Sequence, residues 1–294
     1  MSGPAREVDD ALLRAWPLPA VEPDGDKESR GRVLVVAGSR EMPGAAVLAG
    51  TAALRAGAGK LVIATPQSAA QTVAAGVPEA RVIALPEASD GGPSFYGLPL
   101  LQALAGATAA LLIGPGMIGR ESTIEFTQVL LPVFKQCPVL LDALAMDCVH
   151  AVSRFAQPVI LTPHAGEMAH LTGHVKEDLR EQAIDVALRH SARWNAVVAL
   201  KGAETAIATP DGRSWLHRLQ APGLGTSGSG DVLAGIVAGL AARGAAPEQA
   251  AAWGVALHAR AGEALARRHG QVGYLARELG AEVPALLHAL ERGG

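Results

Sequence analysis

The chain has 294 residues, of which 49% are hydrophobic and 18% are charged, and its formal net charge is -3. This composition is typical of a soluble globular protein, and the length suits one large α/β domain or two ordinary ones. The small negative charge, without a basic block, argues against nucleic acid or an anionic membrane surface as the main partner. An aromatic content of 3% also argues against a stacking platform for single-stranded nucleic acid.

Localisation signals are not evident in the sequence. The two cysteines, Cys137 and Cys148, form no CxxC pair and do not resemble a secreted disulfide framework. The N-terminal residues MSGPAREVDD contain neither a basic region nor an apolar core, so no signal peptide is predicted. The longest apolar run, 232–242, is shorter than the roughly 20 residues that a membrane helix needs. We therefore expect a cytoplasmic protein with no membrane partner.

The regular alternation of apolar and polar runs begins at Arg32. The segment before it (1–31) is polar and contains prolines, which is typical of a tail or a segment that leads into the domain. Short apolar runs that end in glycine, proline or polar residues predict buried strands, and they lie at 33–38, 60–65, 81–85, 109–114, 138–142, 158–162 and 196–202. Helical patterning lies between most of these strands and after the last of them, notably at 44–59 with Gly57 as a stop, 121–131, 177–192, 229–243, 248–268 and 281–291.

Apolar strands that alternate with helices predict a mainly parallel sheet with helices on both faces. The segment 204–219 differs, because it reads as two strands around an Asp-Gly turn. It predicts an antiparallel hairpin at the edge of the sheet. The predicted fold is therefore a single three-layer α/β/α domain over 32–294, and nothing in the sequence indicates a second domain.

The predicted strand ends carry polar and glycine-rich sequences. In open α/β sheets, ligands bind beyond the carboxyl ends of the strands. Here those ends bring glycines, a histidine, a lysine and carboxylates to one edge, in the segments AGS (37–39), GPG (114–116), LDA (141–143), TPHAGE (162–167) and KGAET (201–205).

The segment GTSGSGD (225–231) precedes an apolar helix. Its glycines allow backbone N–H groups to converge on an anion at a helix N-terminus. It is neither a Walker A loop nor a Rossmann fingerprint. Asp231 is unsuited to holding phosphate but well placed to take a proton from a hydroxyl that attacks a phosphate held there. The alternative is a flexible loop in which Asp231 only complements the helix dipole.

Other residues at this edge each have a functional and a structural interpretation. Lys201 could bind phosphate or lie in an ordinary turn, and Gly116 could allow a ligand close approach or only form a tight loop. His164 could contact ligand or be a structural loop residue. Asp142 could serve a Mg²⁺ or phosphate or cap a helix. His170 and His174 are spaced i, i+4, but Gly173 separates them and no HExxH motif is present, so no zinc site is predicted.

The order of these segments along the chain resembles that of the ADP/ATP-dependent NAD(P)H-hydrate dehydratases, a branch of the ribokinase-like fold. The resemblance extends from about Arg32 to the C-terminus. It rests on the segments VLVVAGSREMPGAAVLAGTAALRAGAG, GVPEARV, IGPG, LTPHAGE, VALKGAETAIATPDG and PGLGTSGSGDVLAGIVAGL. It implies a hydro-lyase that repairs hydrated NADH or NADPH. In such an enzyme the ring hydroxyl is phosphorylated from ADP, or alternatively from ATP, and phosphate then leaves.

Residue by residue, the resemblance implies that Asp231 is the base at the hydrated ring. It implies contacts to the hydrated dinucleotide from Ala45, Gly116 and His164 and AMP-binding elements at Lys201, Gly202, Ala203, Glu204, Thr205 and Gly230. It also implies Mg²⁺ as a cofactor, the S-form of the hydrate as substrate, AMP and phosphate as products, and a homotetramer. No protein ligand to a metal is predicted.

Three positions depart from the family pattern. Leu144 replaces the second acid of an Asp-Ala-Asp-Ala-Leu motif, Met42 replaces an aromatic residue, and Ser227 replaces a glycine in Gly-Gly-Ser-Gly-Asp. Only about thirty residues precede the match, so no fused epimerase domain is expected. The alternatives are a kinase of the same fold that acts on a vitamin-precursor alcohol and a non-catalytic nucleotide sensor, which would not need Asp231.

Overall fold

A computed structural model of the chain describes residues 4–22, 24–175, 179, 181–218 and 221–292. The described strands form one sheet in the order β1-β10-β9-β8-β7-β6-β5-β2-β3-β4. The strands are β1 Arg6–Glu7, β2 Arg32–Val36, β3 Lys60–Pro66, β4 Arg81–Leu85, β5 Ala110–Ile113, β6 Val139–Leu141, β7 Val159–Leu161, β8 Val197–Leu200, β9 Glu204–Ala208 and β10 Ser214–Arg218.

The strands from β2 to β8 are parallel to one another, and β9 and β10 are antiparallel to their neighbours in the β8-β9-β10 part of the sheet. The predicted strands are confirmed to within about three residues at each end, because buried parallel strands are near-continuous apolar runs. The predicted fold class, an α/β/α sandwich with a mainly parallel sheet and an antiparallel hairpin, is also confirmed.

Helices cover both faces of the sheet. They are α1 Asp10–Ala15, α2 Pro43–Arg55, α3 Gln67–Gly76, α4 Leu98–Gln102, α5 Arg120–Leu130, α6 Ala165–Thr172, α7 Ala183–Trp194, α8 Ser229–Ala242, α9 Pro247–His269 and α10 Ala276–Arg292. Short 3₁₀ helices span Phe95–Gly97, Ala105–Ala107, Ala143–His150 and Pro222–Leu224. Part of the predicted helix 177–192 lies outside the described residues, and α7 covers its second half. No described helix has both the length and the apolar character needed to cross a membrane.

The segment before Arg32 joins the sheet. Strand β1 pairs in parallel with β10, so the hairpin β9-β10 lies one strand inside the edge. Helix α1 begins at an Asp9 cap and buries Leu12 and Leu13. A strand of two residues is too short to show an alternating pattern, which is why the sequence indicated only a polar segment.

Two apolar layers hold the helices on the sheet. One packs α2, α8, α9 and α10 against one face, and the other packs α5, α6 and α7 against the opposite face. Helices α2 and α8 approach at backbone distance, because a Cβ atom added at Gly235 would lie 2.2 Å from the carbonyl oxygen of Ala49. At Gly239 the corresponding distance to Ala53 is 2.4 Å. These glycines fix the position of α8, the helix that begins directly after the GTSGSGD segment.

Candidate active site

The carboxyl ends of the central strands meet at one edge of the sheet. The N–H of Gly38, after β2, donates to the carbonyl of Pro115, after β5, at 2.7 Å. The hydroxyl of Thr162, after β7, donates to Asp142, after β6, at 2.7 Å. The N–H of Lys201, after β8, donates to the carbonyl of Pro163 at 2.7 Å. The polar strand ends therefore form one connected rim.

Ala45 and Gly116 meet where the sheet changes direction. The chain runs outward from β2 through β3 to β4 and then returns to β5 on the other side of β2. Gly116 has φ +64°, and a Cβ atom placed on it would lie 2.4 Å from the Cβ of Ala45. Ligands in open α/β sheets bind at such a switch point. This contact explains in structural terms why a small residue stands at each position.

Lys201 lies among carboxylates beneath the start of α8. Its Nζ is 3.3 Å from Oδ1 of the buried Asp142 and 3.8 Å from Oε2 of Glu167. Burial alone would lower the pKa of Lys201, but attraction to Asp142, Glu167 and Asp231 outweighs burial and raises it. Lys201 is therefore a largely buried ammonium ion that contacts Asp142 and Glu167 and is attracted by Asp231, rather than a solvated turn residue.

Asp142 occupies the N-cap position of the 3₁₀ helix Ala143–His150 but makes no side-chain capping bond. Its carboxylate instead accepts from Thr162 and Lys201. The structure thus favours the interpretation of Asp142 as a charged member of the rim over that of a helix cap.

Asp231 lies in the first turn of α8, within the influence of the same group of charges. Burial, and then repulsion by Asp142, raises the pKa of its carboxyl to about 6, against an opposing attraction by Lys201 and with a further contribution from Glu167. A carboxylate with a pKa near neutrality can both take and hold a proton under physiological conditions. Its position suits a general base better than a charge that only complements the helix dipole.

The backbone of the GTSGSGD segment is held tightly. Gly228 has φ +85°, and a Cβ atom on it would lie 2.5 Å from Cδ1 of Leu48 on α2. The buried His258 on α9 makes contacts of 3.0 Å from Nε2 to both the hydroxyl and the carbonyl oxygen of Ser229. Burial lowers the pKa of His258 to about 4, so the ring is neutral. These contacts fix the first turn of α8, and therefore Gly230 and Asp231.

A cavity of about 570 Å³ opens between this loop and the turn after β8. A Cβ atom on Gly230 would lie 3.7 Å from Nζ of Lys201, so the loop and the lysine are adjacent in the wall of this cavity. Five of the six residues predicted to bind AMP line the cavity, namely Lys201, Gly202, Ala203, Thr205 and Gly230. Leu224, Leu233 and Val255 add apolar walls of the kind that a nucleoside occupies.

Glu204, the sixth residue, is not among those that line this cavity. It is exposed, begins β9, and forms an ion pair with Arg218 at 3.0 Å. Side chains alternate between the two faces of a strand, so the neighbour Thr205 is buried while Glu204 points to the other face.

Comparisons with known proteins identify the family of this chain. The family model described as NAD(P)H-hydrate dehydratase matches residues 33–285. The chain belongs to the NAD(P)H-hydrate dehydratase family. An ADP-dependent (S)-NAD(P)H-hydrate dehydratase from Xanthomonas campestris is 49% identical over the full length of both chains. Bifunctional NAD(P)H-hydrate repair enzymes also match, and the chain spans about half of their length.

Solved structures agree with the family and the fold. The ADP/ATP-dependent NAD(P)H-hydrate dehydratase of Bacillus subtilis, co-crystallised with ATP and Mg²⁺, is 33% identical, with a TM-score of 0.83 over 98% of this chain and 99% of that one. A ribokinase-like protein from Enterococcus faecalis is 25% identical and has a TM-score of 0.84 over 97% of this chain and 96% of that one. The fold of this NAD(P)H-hydrate dehydratase family member is ribokinase-like.

His164 separates two cavities in this NAD(P)H-hydrate dehydratase family member. Its Nδ1 accepts from the N–H groups of Gly166 at 2.9 Å and Glu167 at 3.1 Å, while Glu167 accepts from the His164 N–H at 2.7 Å. This reciprocal pair is a capping box that starts α6. His164 therefore has a structural role, and it also lines both the 570 Å³ cavity and a second cavity of about 510 Å³.

Several residues of the site could not be recognised from the sequence. Glu167 could be explained as a first-turn acid, and His258 lies on a helix without any surrounding motif. His170 is spaced i, i+4 from His174 in the sequence, but it lies beside Asp147 and His150. His174 packs edge-on against His190, with ring centroids 5.7 Å apart. Only contacts between distant segments reveal these groupings.

The rim fits a hard divalent cation in the chemistry of its donors. The carboxylate of Asp231 is repelled by the carboxylate of Asp142, and Glu167 adds to this repulsion. Mg²⁺ prefers carboxylate oxygen and usually binds through one or two carboxylates together with substrate phosphates. A cation among these acids would relieve the repulsion that Lys201 only partly offsets. Because Lys201 already pairs with Asp142 and Glu167, a Mg²⁺ ion would bind chiefly through the phosphates of a nucleotide, with Asp142 or Glu167 as its candidate protein ligand.

Proposed function

We propose that this protein is an ADP-dependent (S)-NAD(P)H-hydrate dehydratase, a hydro-lyase that returns the S-form of hydrated NADH or NADPH to the reduced cofactor. ADP is the co-substrate, and AMP and phosphate are the products. The observation that carries the proposal is the position of Asp231. It directly follows Gly230, which lines the 570 Å³ cavity together with Lys201, and its pKa is raised to about 6.

In this proposal the nucleoside part of ADP occupies the apolar end of the cavity, and its phosphates extend toward the first turn of α8. Backbone N–H groups at a helix N-terminus and a lysine ammonium are good phosphate ligands. Lys201 and Gly230 supply them, and Thr205 and the Gly202–Ala203 turn close the opposite wall. The hydrated ring of the dinucleotide lies on the other side of Asp231, toward Ala45, Gly116 and His164.

Asp231 then removes the proton of the ring hydroxyl, and the hydroxyl oxygen attacks the terminal phosphorus of ADP while AMP leaves. The neutral histidine beneath Ser229 and the close packing of α8 on α2 keep the carboxylate in place. Lys201 balances the negative charge of the phosphates and also stabilises the ionised form of Asp231.

The second stage restores the ring. Hydroxide is a poor leaving group, whereas the phosphate ester releases phosphate readily. The C–O bond to the ring breaks, and a proton is lost from the adjacent ring carbon as the double bond forms. The sum is hydrated NAD(P)H plus ADP giving NAD(P)H, AMP and phosphate. Mg²⁺, bound chiefly through the phosphates with Asp142 or Glu167 as its protein ligand, would neutralise charge on the phosphate oxygens.

Purified protein, ADP and Mg²⁺ should restore NADH absorbance from its S-hydrate, with one AMP and one phosphate formed for each NADH. Replacement of ADP by ATP measures the nucleotide preference, and hydrated NADPH measures the cofactor preference. If NADH does not return while vitamin-precursor alcohols are phosphorylated, the kinase alternative replaces the proposal. If nucleotide binds but nothing reacts, the sensor alternative does.

The homotetramer and the cytoplasmic location remain predictions from the resemblance and the sequence. Light scattering of the purified protein tests the first, and fractionation of cells that express a tagged chain tests the second.

A further inference from the structure

Arg120 is held in an unusual place for a cation. It is the first residue of α5 and follows the turn that contains Gly116 by four positions. A positive side chain at a helix N-terminus has the wrong sign for the helix dipole. Its Nε nevertheless donates to the buried Asp147 carboxylate at 2.6 Å, and its second amino group lies 3.1 Å from Nε2 of His170. Arg120 is thus oriented by a buried acid and a histidine.

This arrangement leaves part of the guanidinium free to bind a ligand. A guanidinium has five N–H donors, and the contacts to Asp147 and His170 use two of them. The side chain is 54% exposed, and it lines the 510 Å³ cavity together with His164, Glu167 and His170. A planar guanidinium that is oriented by protein contacts on one side and has free N–H donors on the other suits bidentate contact with phosphate.

The same cluster could be mistaken for a metal site. Asp147, His150 and His170 each offer a ligand atom, and these atoms lie within 4.8 Å of one another. The guanidinium of Arg120, however, already bonds to two of the three. A fixed positive charge therefore stands where a metal ion would bind, and the group is better suited to an anion than to a cation.

The cavity of Arg120 adjoins the 570 Å³ cavity, and His164 lies between the two. His164 lines both cavities, and Glu167, which faces Lys201 at 3.8 Å, lines the one that contains Arg120. Residues three apart on a helix lie on the same face, so His170 is one turn of α6 beyond Glu167. The reaction needs room for a nucleoside diphosphate and a dinucleotide at once. The two cavities, about 570 and 510 Å³, meet at this shared wall.

We infer that the 510 Å³ cavity holds the adenylate half of the hydrated dinucleotide and that Arg120, oriented by Asp147 and His170, binds one of its phosphate groups. This inference rests on the proposed function for the identity of the dinucleotide. The phosphate is either in the pyrophosphate, which NADH and NADPH share, or at the 2′ position, which NADPH alone carries.

The test compares Arg120→Ala and Arg120→Lys with Arg81→Ala, which removes an exposed arginine at the amino end of β4, on the opposite edge of the sheet. Arg120→Ala should raise KM for the hydrated dinucleotide about tenfold or more, while kcat and KM for ADP change less than about twofold. Arg120→Lys should lie between Arg120→Ala and the wild type, because it keeps the charge but loses the planar guanidinium. Arg81→Ala should match the wild type.

Use of both hydrates identifies the phosphate. A loss with hydrated NADH and hydrated NADPH alike indicates the pyrophosphate, and a loss with hydrated NADPH alone indicates the 2′-phosphate. The inference is overturned if KM for both hydrates stays within twofold of wild type, or if only KM for ADP rises.

Two further measurements separate failure of the inference from other failures. The double variant Arg120→Ala/Asp147→Asn removes the acid that the single variant leaves buried and unpaired, so it should fold and show the same increase in KM. Fluorescence titration with NADH and NADPH measures dinucleotide binding without turnover. If the wild type binds them but does not act on the hydrates, the proposed function fails while weaker binding by Arg120→Ala still supports this phosphate site. Equal binding by both proteins would contradict it.

Discussion

The Nζ atom of Lys201 lies 3.3 Å from Oδ1 of Asp142, and Asp142 is 3% exposed. The raised pKa of Lys201 means that the folded state stabilises its charged form. For a base with a raised pKa, this stabilisation is fully present below the unfolded value of 10.5 and is lost as the pH rises through the folded value. At neutral pH the lysine therefore stabilises the fold as well as the candidate site.

Lys201→Met should lower the free energy of unfolding by about 3 kcal/mol, because it leaves the buried Asp142 without its counter-charge. The double variant Lys201→Met/Asp142→Asn should regain most of this loss, because no unpaired charge remains. Urea denaturation at pH 7 measures both. Glu7→Gln serves as the control, because it removes only an exposed pair with Arg218 and should cost less than about 1 kcal/mol. Equal stability of the single and double variants would refute the coupling.

The pH dependence should report Asp231. Because its pKa is raised to about 6, kcat/KM should fall about tenfold for each pH unit below that value and level off above it. Asp142→Asn removes the strongest charged repulsion and should move this acidic limb to lower pH. A pH–rate profile of both proteins checks the shift, and a limb that stays in place or moves upward rules out the assignment.

The stability of the fold should also depend on the ionisation of Asp231, but here ionisation should be unfavourable. An acid with a raised pKa disfavours its ionised form in the fold, so ionised Asp231 destabilises the protein increasingly as the pH rises from about 4 to above 6. Asp231→Asn should therefore raise Tm at pH 8 and change it little at pH 4. Thermal denaturation at the two pH values measures this. A gain of the same size at both would show that charge is not the cause.

Two glycines on α8 should separate binding from packing. Gly230→Ala adds a Cβ atom 3.7 Å from Nζ of Lys201, in the proposed phosphate position, so KM for ADP should rise about tenfold with little change in Tm. Gly235→Ala adds a Cβ atom 2.2 Å from the carbonyl oxygen of Ala49 and should lower the free energy of unfolding by about 1–3 kcal/mol. Each variant is the control for the other.

Gly106→Ala is a further control, because a Cβ atom at Gly106 meets no atom within 4 Å. If Gly230→Ala destabilises the protein as much as Gly235→Ala does, the proposed division between the cavity and the helix interface is incorrect.

The strands and the hairpin could be predicted because their signals are local. Buried parallel strands require unbroken apolar runs, and the Asp211-Gly212 turn of the hairpin requires residues that tolerate its backbone conformation. The position of β1 could not be predicted, because its two residues pair with β10 more than two hundred residues later. The same applies to the contact between Ala45 and Gly116, which exists only once β2 and β5 are neighbours.

The candidate site was predictable where one segment contains both the loop and the chemistry, as in GTSGSGD. The site could not be predicted where the role of a residue depends on a partner that is distant in the sequence. Glu204 and Thr205 show that such a prediction can fail within a single motif. Side chains alternate along β9, so Thr205 faces the cavity and Glu204 does not. Arg120 shows that it can also fail across segments, because its orientation depends on Asp147 and His170 from two other elements.

The most direct test of the central claim is turnover of the S-hydrate of NADH by Asp231→Asn, measured beside the binding of ADP. Asp185→Asn, which changes an exposed acid in the first turn of α7, is the matched control. We expect Asp231→Asn to lower kcat by at least about 10²-fold, as loss of a general base does, while the Kd for ADP stays within about threefold and the control matches the wild type. Turnover within tenfold of the wild type would contradict the role of Asp231 as the base.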